Sequence, residues 1–306
     1  VEANPDSLDP ACLEAMAAAG VTRLSLGVQS LDDGALVLLG RPHRAVQAEA
    51  ALRLAAGYGL RLSADLIAAL PSPRDSLRRR ESAAGAGRSL SAEVGRLLEL
   101  SVGHLSIYDL VVEEGTRIAA SLESGELEEA DEDEAWEERR AAEAVLAKAG
   151  FRRYEVSNYA PAGSECAHNL AYWRMDSYVG AGPGAVSTIA EEGGSLRIEE
   201  TRNLEAYLGC AAENAREERI SPRDSAFELA MMGFRTRFGL DLDSFASRFG
   251  KEFEELVPRT LSAWNERISA GWGRGRRLAL DERGLDILNR FLADCLAEME
   301  TSFPAA

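Results

Sequence analysis

The sequence has few of the residues that usually bind metals or form disulfides. Its 306 residues include four cysteines and three histidines. The cysteines are Cys12, Cys166, Cys210 and Cys295, and even the closest pair, Cys166 and Cys210, is 44 positions apart. Such scatter argues against a disulfide scaffold and is typical of a protein of the reducing cytosol.

The chain also lacks long apolar runs and an excess of positive charge. No apolar run approaches the ~18 residues of a membrane span, and the formal net charge is −17 at pH 7. Because the apolar runs are short, we expect no transmembrane segment. Because phosphate backbones repel a negatively charged chain, we expect no nucleic-acid partner. The densest acidic run, 123–140, predicts a solvated helix face. The opening VEANPDSLDP has neither the basic start nor the apolar core of a signal peptide, and we expect a cytoplasmic protein.

What the first 160 residues do have is an alternation of helix and strand patterns. Asp9-Pro10 is a helix start and Gly20 is a helix stop, which predicts a helix over 10–19. Strands with helices between them predict right-handed crossovers and a parallel sheet, either a barrel or a doubly wound arrangement. Further helices are predicted over 32–39 and 44–57, and strands over 21–29, 60–67 and 103–112.

Polar side chains lie at or near the C-terminal ends of the predicted strands, where parallel sheets carry their chemistry. They are Gln29, Asp65 and Asp109. A carboxylate within an apolar strand, such as Asp65, must pair or face a cleft, since burying it alone is costly. The Gln29 amide can read sugar hydroxyls or a base. Arg41 can hold a carboxylate through two hydrogen bonds, although a lone arginine is more often part of a surface ion pair.

One histidine lies in an unusual setting, the stretch CAHNLAYW at 166–173. If 168–173 is helical, His168 and Tyr172 share a face, with Trp173 beside them. An imidazole flanked by flat aromatic rings is a plausible axial ligand for haem iron. Zinc is less plausible, because Cys166 alone does not complete a ligand set. A structural histidine is the alternative reading.

From about residue 203 the pattern becomes helical. Helices are predicted over 222–238, 241–249, 252–270 and 282–300, with a short hairpin before the last. This arrangement predicts a winged-helix-like module. DNA binding through Arg274, Arg276 and Arg277 is one reading of it, but the acidic background favours a packing role.

Six stretches of the chain, in order, carry a family resemblance. They are EANPD, GVTRLSLGVQSLDDGALVLLGRPH, DLIAALP, LSIYDLVVEEGT, YEVSNYA and CAHNLAYWRMDSYVGAGPGA. Together they resemble the HemW family, haem chaperones of the radical S-adenosylmethionine superfamily related to the oxygen-independent coproporphyrinogen III oxidases (HemN). The resemblance covers nearly the whole chain. Its most specific element is H-N-x-x-Y-W, which begins at His168 and marks the haem-chaperone branch.

The resemblance implies an α/β fold with two domains. Residues 1–202 would form an incomplete radical-SAM (β/α)6-type barrel, truncated at its N-terminus, together with the haem motif. Residues 203–306 would form the small, mostly helical, winged-helix-like C-terminal domain of the HemN and HemW proteins.

The resemblance also implies which residues bind S-adenosylmethionine. The family's strand-end positions correspond here to Glu2, Gln29, Arg41 and Asp65. Arg41 suits the methionyl carboxylate, and Gln29 and Asp65 suit the ribose. The position at which the family uses its backbone corresponds to Val111.

The haem motif carries over in the same way. His168 would be the haem-iron ligand, accompanied by Tyr172 and Trp173. The partners implied are haem or a porphyrin and a haem-acceptor protein, with a second copy of the chain as a further candidate.

The chain departs from the family in its cysteines. The family's C-x-x-x-C-x-x-C motif supplies three thiolates to a [4Fe–4S] cluster, and the four cysteines here cannot make it. In the family this motif lies upstream of EANP, so we expect an N-terminal segment to be missing and the cluster to require it. Ala68 and Ala69 also stand where Tyr-Gly is expected, and the segment 72–93 is longer than expected.

The function expected from the sequence is haem binding and delivery in the HemW manner. As given, without a cluster, the chain is not expected to be catalytic. The alternative is an enzyme, a coproporphyrinogen III dehydrogenase that oxidatively decarboxylates propionates in porphyrin biosynthesis.

Overall fold

The computed structural model of the chain describes residues 1–74, 88–209 and 215–302. Their contacts divide them into two units. The first unit comprises Val1–Arg153 and Ser157–Glu165, and the second comprises Tyr154–Val156 and the described residues from Cys166 onward. The predicted domain boundary at 202–203 falls inside the second unit and stays a prediction.

Side-chain caps fix where the helices of the first unit begin. Asp9 accepts a hydrogen bond from the backbone N–H of Cys12 at 2.7 Å, and Asp32 accepts one from Ala35 at 2.7 Å. Both satisfy amides that a first helical turn leaves unpaired. The helices predicted over 10–19, 32–39 and 44–57 are confirmed. The described helices of the unit are α1 Pro10–Ala18, α2 Asp33–Leu38, α3 Ala45–Ala56, α4 Leu90–Glu99, α5 Arg117–Glu123 and α6 Glu132–Lys148, with a 3-10 turn at Pro5–Ser7.

The main sheet of the first unit has six strands, ordered β1-β2-β3-β5-β8-β7. The first four are parallel, which confirms the predicted parallel sheet, whereas β8 and β7 are antiparallel additions at one edge. A short antiparallel pair, β4-β6, lies apart from it. The strands are β1 Glu2–Ala3, β2 Arg23–Gln29, β3 Arg61–Ala68, β4 Ser72–Pro73, β5 His104–Asp109, β6 Leu127–Glu128, β7 Arg152–Arg153 and β8 Asn158–Ala160.

The two faces of this sheet differ in chemistry, because side chains alternate along each strand. One face is apolar and belongs to the core of the unit, which also takes in residues of α3 and α4. Its fully buried strand residues are Leu24, Leu26, Val28, Ala64, Leu66, Leu105 and Ile107. The intervening residues on the opposite face are largely polar, and that face carries the candidate site.

Three further predictions for the first unit have different outcomes. The strand predicted over 103–112 ends at Asp109. The acidic run is confirmed as largely helical from Glu132 onward, with most of its side chains exposed. Residues 75–87, the middle of the long segment noted at 72–93, lie outside the described residues.

The second unit contains two small antiparallel sheets among helices. Its strands are β9 Val186–Glu191, β10 Gly194–Glu199, β11 Arg216–Ile220, β12 Leu240–Asp241, β13 Ile268–Ala270 and β14 Arg277–Leu280, in the orders β11-β10-β9 and β12-β14-β13. Its described helices are α7 Ala167–Trp173, α8 Leu204–Leu208, α9 Pro222–Phe234, α10 Leu242–Phe249, α11 Phe253–Leu256, α12 Pro258–Ala263, α13 Glu282–Asp286 and α14 Leu288–Ser302.

The single helix predicted over 252–270 is wrong. The segment contains two short helices, α11 and α12, and then strand β13. Pro258 begins a new helix there, since proline is accommodated at a helix start and not in a helix interior. A hairpin is present, but it is formed by β13 and β14 and so begins earlier than the predicted stretch RRLALDERG at 276–284, whose last residues are helical.

Two of the three arginines singled out in this hairpin, Arg276 and Arg277, form ion pairs within the second unit. Arg276 forms ion pairs with Asp243, Glu252 and Glu254, and Arg277 pairs with Asp241 on β12. Their charges are therefore opposed by carboxylates of the same unit. No helix among the described residues is long and apolar enough to cross a membrane.

Candidate functional site

Asp65 lies on β3 with its carboxylate on the polar face of the sheet. The Ser25 hydroxyl on β2 donates to it at 3.2 Å, and Ser106 on β5 also hydrogen-bonds to it. Burial raises the pKa of Asp65, the two serine hydrogen bonds oppose that rise, and the nearby charge of Glu2 adds to it. The net direction is upward, as expected for a desolvated carboxyl without a cation beside it. The expectation that a buried Asp65 would need a partner is met by the hydroxyls of Ser25 and Ser106.

Gln29 ends β2 in a strained conformation. Its φ is 65°, in the left-handed region that a non-glycine residue rarely adopts, and the register between β2 and β3 shifts over Leu26–Gln29. A Cβ at Gly27 would lie 2.9 Å from the Gln29 side-chain nitrogen, so the glycine makes room for that amide. Strain of this kind is typical of binding sites, where the surrounding structure holds it.

A buried ion pair fastens the ends of β2 and β3. Arg88 and Glu93 pair at 2.9 Å, with side chains 6% and 7% exposed. Glu93 also accepts hydrogen bonds from the Ser30 hydroxyl and from the backbone N–H of Leu31, the two residues that follow Gln29. Arg88 donates to the backbone oxygen of Ile67 at 2.7 Å. This network holds the strands that carry Gln29 and Asp65 in one relative position.

Arg41 is placed by the end of α2. Gly40 has a φ of 66°, and the Arg41 backbone N–H donates to Leu36 at 2.9 Å, which is the hydrogen-bond pattern of a Schellman motif. The Arg41 Nε is buried and has no hydrogen-bond partner among the described residues. An unpaired guanidinium donor of this kind fits a bound carboxylate.

The predicted ligand-binding residues are thus partly brought together. Glu2 on β1 lies opposite Ser25 on β2 in the sheet register. Gln29 on β2 lies opposite Leu66 on β3, and Asp65 directly precedes Leu66. Val111 lies beyond the end of β5 and is 78% exposed. Asp109, a further strand-end residue, pairs with Arg139 on α6.

Sequence reasoning missed the two serines that hold Asp65. Nothing in the local sequence distinguishes Ser25 or Ser106 from other serines. The usable signal is alternation, because each is a lone polar residue between two buried apolar ones, Leu24 and Leu26 or Leu105 and Ile107. Only the strand register shows that both meet one carboxylate.

In the second unit, helix α7 carries the histidine motif. Its first turn is anchored by Cys166, whose N–H donates to the hydroxyl of the fully buried Tyr154 at 3.3 Å. The helix ends at Trp173, and Met175 just after it adopts a φ of 55° and packs against the core of the second unit. The Asp176 N–H donates back to Ala171, closing a Schellman-type end. Both ends of this seven-residue helix are therefore fixed.

His168 and Tyr172 meet on one side of α7, as their spacing predicted. Their rings form an edge-to-face pair with centroids 4.9 Å apart, and Tyr172 forms a second such pair with Tyr178 at 4.6 Å. Tyr178 in turn accepts a hydrogen bond from Thr188 on β9. His168 is exposed, and the aromatic row behind it gives its ring a defined orientation.

His168 differs from the other two histidines of the chain. His43 is 2% exposed and hydrogen-bonds through Nε2 to the Val28 carbonyl, and His104 is 3% exposed and hydrogen-bonds to Ser63. Burial and the nearby charge of Arg23 lower the pKa of His104 to about 3. An iron centre arriving from solvent can therefore reach His168 but not the other two imidazoles.

Trp173 takes a different direction from His168 and Tyr172. With Leu170 of the same helix it lines a cavity of about 220 Å³ whose other walls include Phe238 and Trp272. Within the second unit the structure therefore joins two of the predicted haem residues and places the third at a separate cavity.

The described cysteines do not fit an iron–sulfur cluster. Cys12 and Cys166 are half-buried, Cys295 is buried, and Cys210 lies outside the described residues. Among the described residues no three side chains of His, Cys, Asp or Glu form a group that could hold a metal ion. We therefore assign no cluster ligand to these residues.

Comparison with known proteins identifies the family. Residues 220–287 match the family model of the HemN C-terminal domain. The heme chaperone HemW of Synechocystis sp. is 35% identical over 302 residues, which cover 95% of this chain and 69% of that protein. The chain belongs to the HemW family. A second relative, the mitochondrial radical S-adenosyl methionine domain-containing protein 1 of Mus musculus, is 36% identical over 241 residues, covering 78% of this chain and 48% of that protein.

The fold is shared with a solved structure. Coproporphyrinogen III oxidase (HemN) from Escherichia coli, described as a radical SAM enzyme, superposes with a TM-score of 0.70 over 99% of this chain and 69% of that one. At 17% identity this likeness concerns the fold alone. It confirms the predicted HemN-type radical SAM fold. The chain spans about half the length of the mouse relative.

Proposed function

We propose that this chain is a haem-binding protein of the HemW type, which holds haem through His168 and passes it to an acceptor protein. The observation that carries the proposal is the exposure of His168 on a helix whose two ends are fixed. A neutral imidazole supplies an axial ligand to haem iron, and an exposed one can also release it.

The neighbours of His168 support this role. The edge-to-face contact with Tyr172 orients the imidazole through packing of the two rings. The aromatic rings also offer a flat apolar surface to a porphyrin. Cys166, two positions before His168, is the competing soft ligand, since it is half-buried and unpaired.

The proposal includes S-adenosylmethionine at the polar face of the first unit's sheet. Asp65 and Gln29 would accept and donate hydrogen bonds to the ribose hydroxyls, and Arg41 would hold the methionyl carboxylate. The upward pKa shift of Asp65 and the buried, unpaired Arg41 Nε both favour a ligand that offers hydroxyl donors and a carboxylate. When bound, such a cofactor would supply a sulfonium centre; the residues named here only bind and orient it.

A hemin titration followed in the Soret region tests the haem proposal. We expect the parent chain to bind one hemin, His168→Ala to bind it at least tenfold more weakly, and the matched control Cys166→Ser to bind it as the parent does. A Soret position typical of imidazole ligation in the parent and in Cys166→Ser would support His168 as the ligand.

Two results would contradict the proposal. Equal binding by the parent and His168→Ala would show that the motif is structural. Consumption of coproporphyrinogen III by the chain would instead favour the alternative, an oxidative decarboxylase.

A further inference from the structure

One buried side-chain amide on the sheet of the first unit has an oxygen with no hydrogen-bond partner in the part of the chain that the structure describes. Asn158, on β8, is 3% exposed, and its Oδ1 is buried without a partner among the described residues. Buried polar atoms in folded proteins are nearly always hydrogen-bonded, so an unpaired one calls for an explanation. A bound ligand is one such explanation.

The strand pairing shows which face of the sheet this amide is on. Its neighbour Tyr159 belongs to the apolar core and donates its hydroxyl to Glu143 of α6. Side chains alternate along a strand, so Asn158 is on the opposite, polar face. Asn158 lies directly opposite Ser106 in the register of β5 and β8.

Asn158 therefore continues a polar row that already includes Asp65. Asp65 lies opposite Ser106 on the other side of β5, and Ser106 hydrogen-bonds to it. The row crosses β3, β5 and β8 in the order Asp65, Ser106, Asn158. The two ends of this row are two strand spacings apart, about 10 Å.

We propose that Asn158 is a further binding residue of this site and that it reads the adenine of S-adenosylmethionine. This inference rests on the proposed S-adenosylmethionine site. An asparagine amide offers one donor group and one acceptor, which match the acceptor nitrogen and exocyclic amine along one edge of adenine. Asp65 would hold the ribose in the proposed site. Asn158, at the other end of the row, would therefore contact the adenine.

The test compares Asn158→Leu with Tyr159→Phe, the adjacent residue on the opposite face. Binding of S-adenosylhomocysteine and of S-inosylhomocysteine is measured by calorimetry. The inosine compound presents an oxygen where adenine presents an amine. We expect the parent to prefer the adenosine compound by about tenfold, Tyr159→Phe to keep that preference, and Asn158→Leu to lose it. Thermal unfolding without ligand should show Asn158→Leu as stable as the parent, because it buries no unpaired amide.

The outcomes separate this inference from the proposed function. If the parent binds neither compound, the S-adenosylmethionine site itself is wrong. If the parent binds both compounds and Asn158→Leu keeps the parent's affinity and preference, the site stands and the role of Asn158 is overturned. Should Asn158→Leu not fold, Asn158→Ala serves in its place: it removes both the donor and the acceptor of the amide, so a retained preference overturns the inference and a lost one supports it.

Discussion

The two candidate sites of this chain are built in opposite ways. The Asp65 site lies on a sheet, is held by hydroxyls on neighbouring strands and is fastened by the buried Arg88–Glu93 pair. The His168 site is a single imidazole on a short helix, exposed to solvent and oriented by one aromatic contact. A site that keeps its ligand benefits from rigid, buried polar groups, whereas a site that must surrender its ligand benefits from access. The difference suits the proposed function, in which the chain would retain one small molecule and transfer another.

The largest expected effect concerns the network behind the Asp65 site. Glu93→Ala leaves the guanidinium of Arg88 buried without its partner, and we expect a loss of about 3–5 kcal/mol in the free energy of unfolding. The control is Glu99→Ala on the same helix, whose side chain is 68% exposed in its pair with Arg96 and which should lose well under ~1 kcal/mol. Urea unfolding followed by circular dichroism measures both. Equal losses of unfolding free energy in the two variants would show that the Arg88–Glu93 pair does not make the Asp65 site rigid.

The second prediction concerns the stability of the second unit, to which the exposed helix α7 belongs. In the core of the second unit, burial raises the pKa of Glu298, but hydrogen bonds from Thr260 and Arg259 outweigh it and lower the pKa to about 2 from 4.5. The folded state therefore holds the charged form more tightly. This contribution is complete above pH 4.5 and is lost as the pH falls toward 2.

We expect the ionised Glu298 to contribute on the order of 2 kcal/mol to the free energy of unfolding. Glu298→Gln should lose stability at pH 7 and show a flatter acid profile than the parent. Tryptophan fluorescence reports on this unit, because Trp264 donates to Asp294 and packs on Phe291 beside this region. Identical acid profiles in variant and parent would show that Glu298 does not anchor the unit.

The third prediction is that Asp65 supports ligand binding in the first unit while it lowers the stability of that unit. The pKa of Asp65 is raised in the folded state, so the folded state binds its proton more tightly than the unfolded chain does. Stability then falls as the pH rises from the unfolded pKa through the folded one, and the deficit persists at pH 7. Asp65→Asn should raise the free energy of unfolding at pH 7 by on the order of 1 kcal/mol and abolish S-adenosylhomocysteine binding. Thermal unfolding and calorimetry check the two halves, and a destabilised variant would contradict the first.

The smallest effect on stability is expected at the exposed site. His168→Ala removes one edge-to-face contact from a solvent-exposed helix, and alanine favours the helix, so the unfolding free energy should change by less than about 0.5 kcal/mol. Differential scanning calorimetry of the parent and the variant measures this. A large loss would mean that His168 is structural, and the contrast between the two sites would collapse.

Local signals in the sequence were sufficient for the first three helices and the three main parallel strands of the first unit, and for the face of α7. Asp9-Pro10 and Gly20 bound α1, and the four-residue spacing placed His168 against Tyr172. These features depend only on neighbours along the chain.

What sequence reasoning missed depends on register and on distant partners. Ser106 and Asn158 meet only because β8 runs antiparallel to β5. The β9–β11 sheet was not predicted, since its strands are short and carry charged residues on both sides of the turn. Gln29 was found by its place at a strand end, but its left-handed backbone follows from a register shift that no local pattern encodes.

The uneven burial of the three histidines has a practical consequence for labelling. Diethyl pyrocarbonate acylates imidazole nitrogens that solvent can reach, and His43 and His104 are 2% and 3% exposed. A folded chain should take up one fast equivalent of the reagent, at His168, and should take it up no longer when that nitrogen is bound to iron. If the proposed function holds, peptide mass spectrometry of this one residue would report the fraction of chains that carry haem before and after an acceptor protein is added.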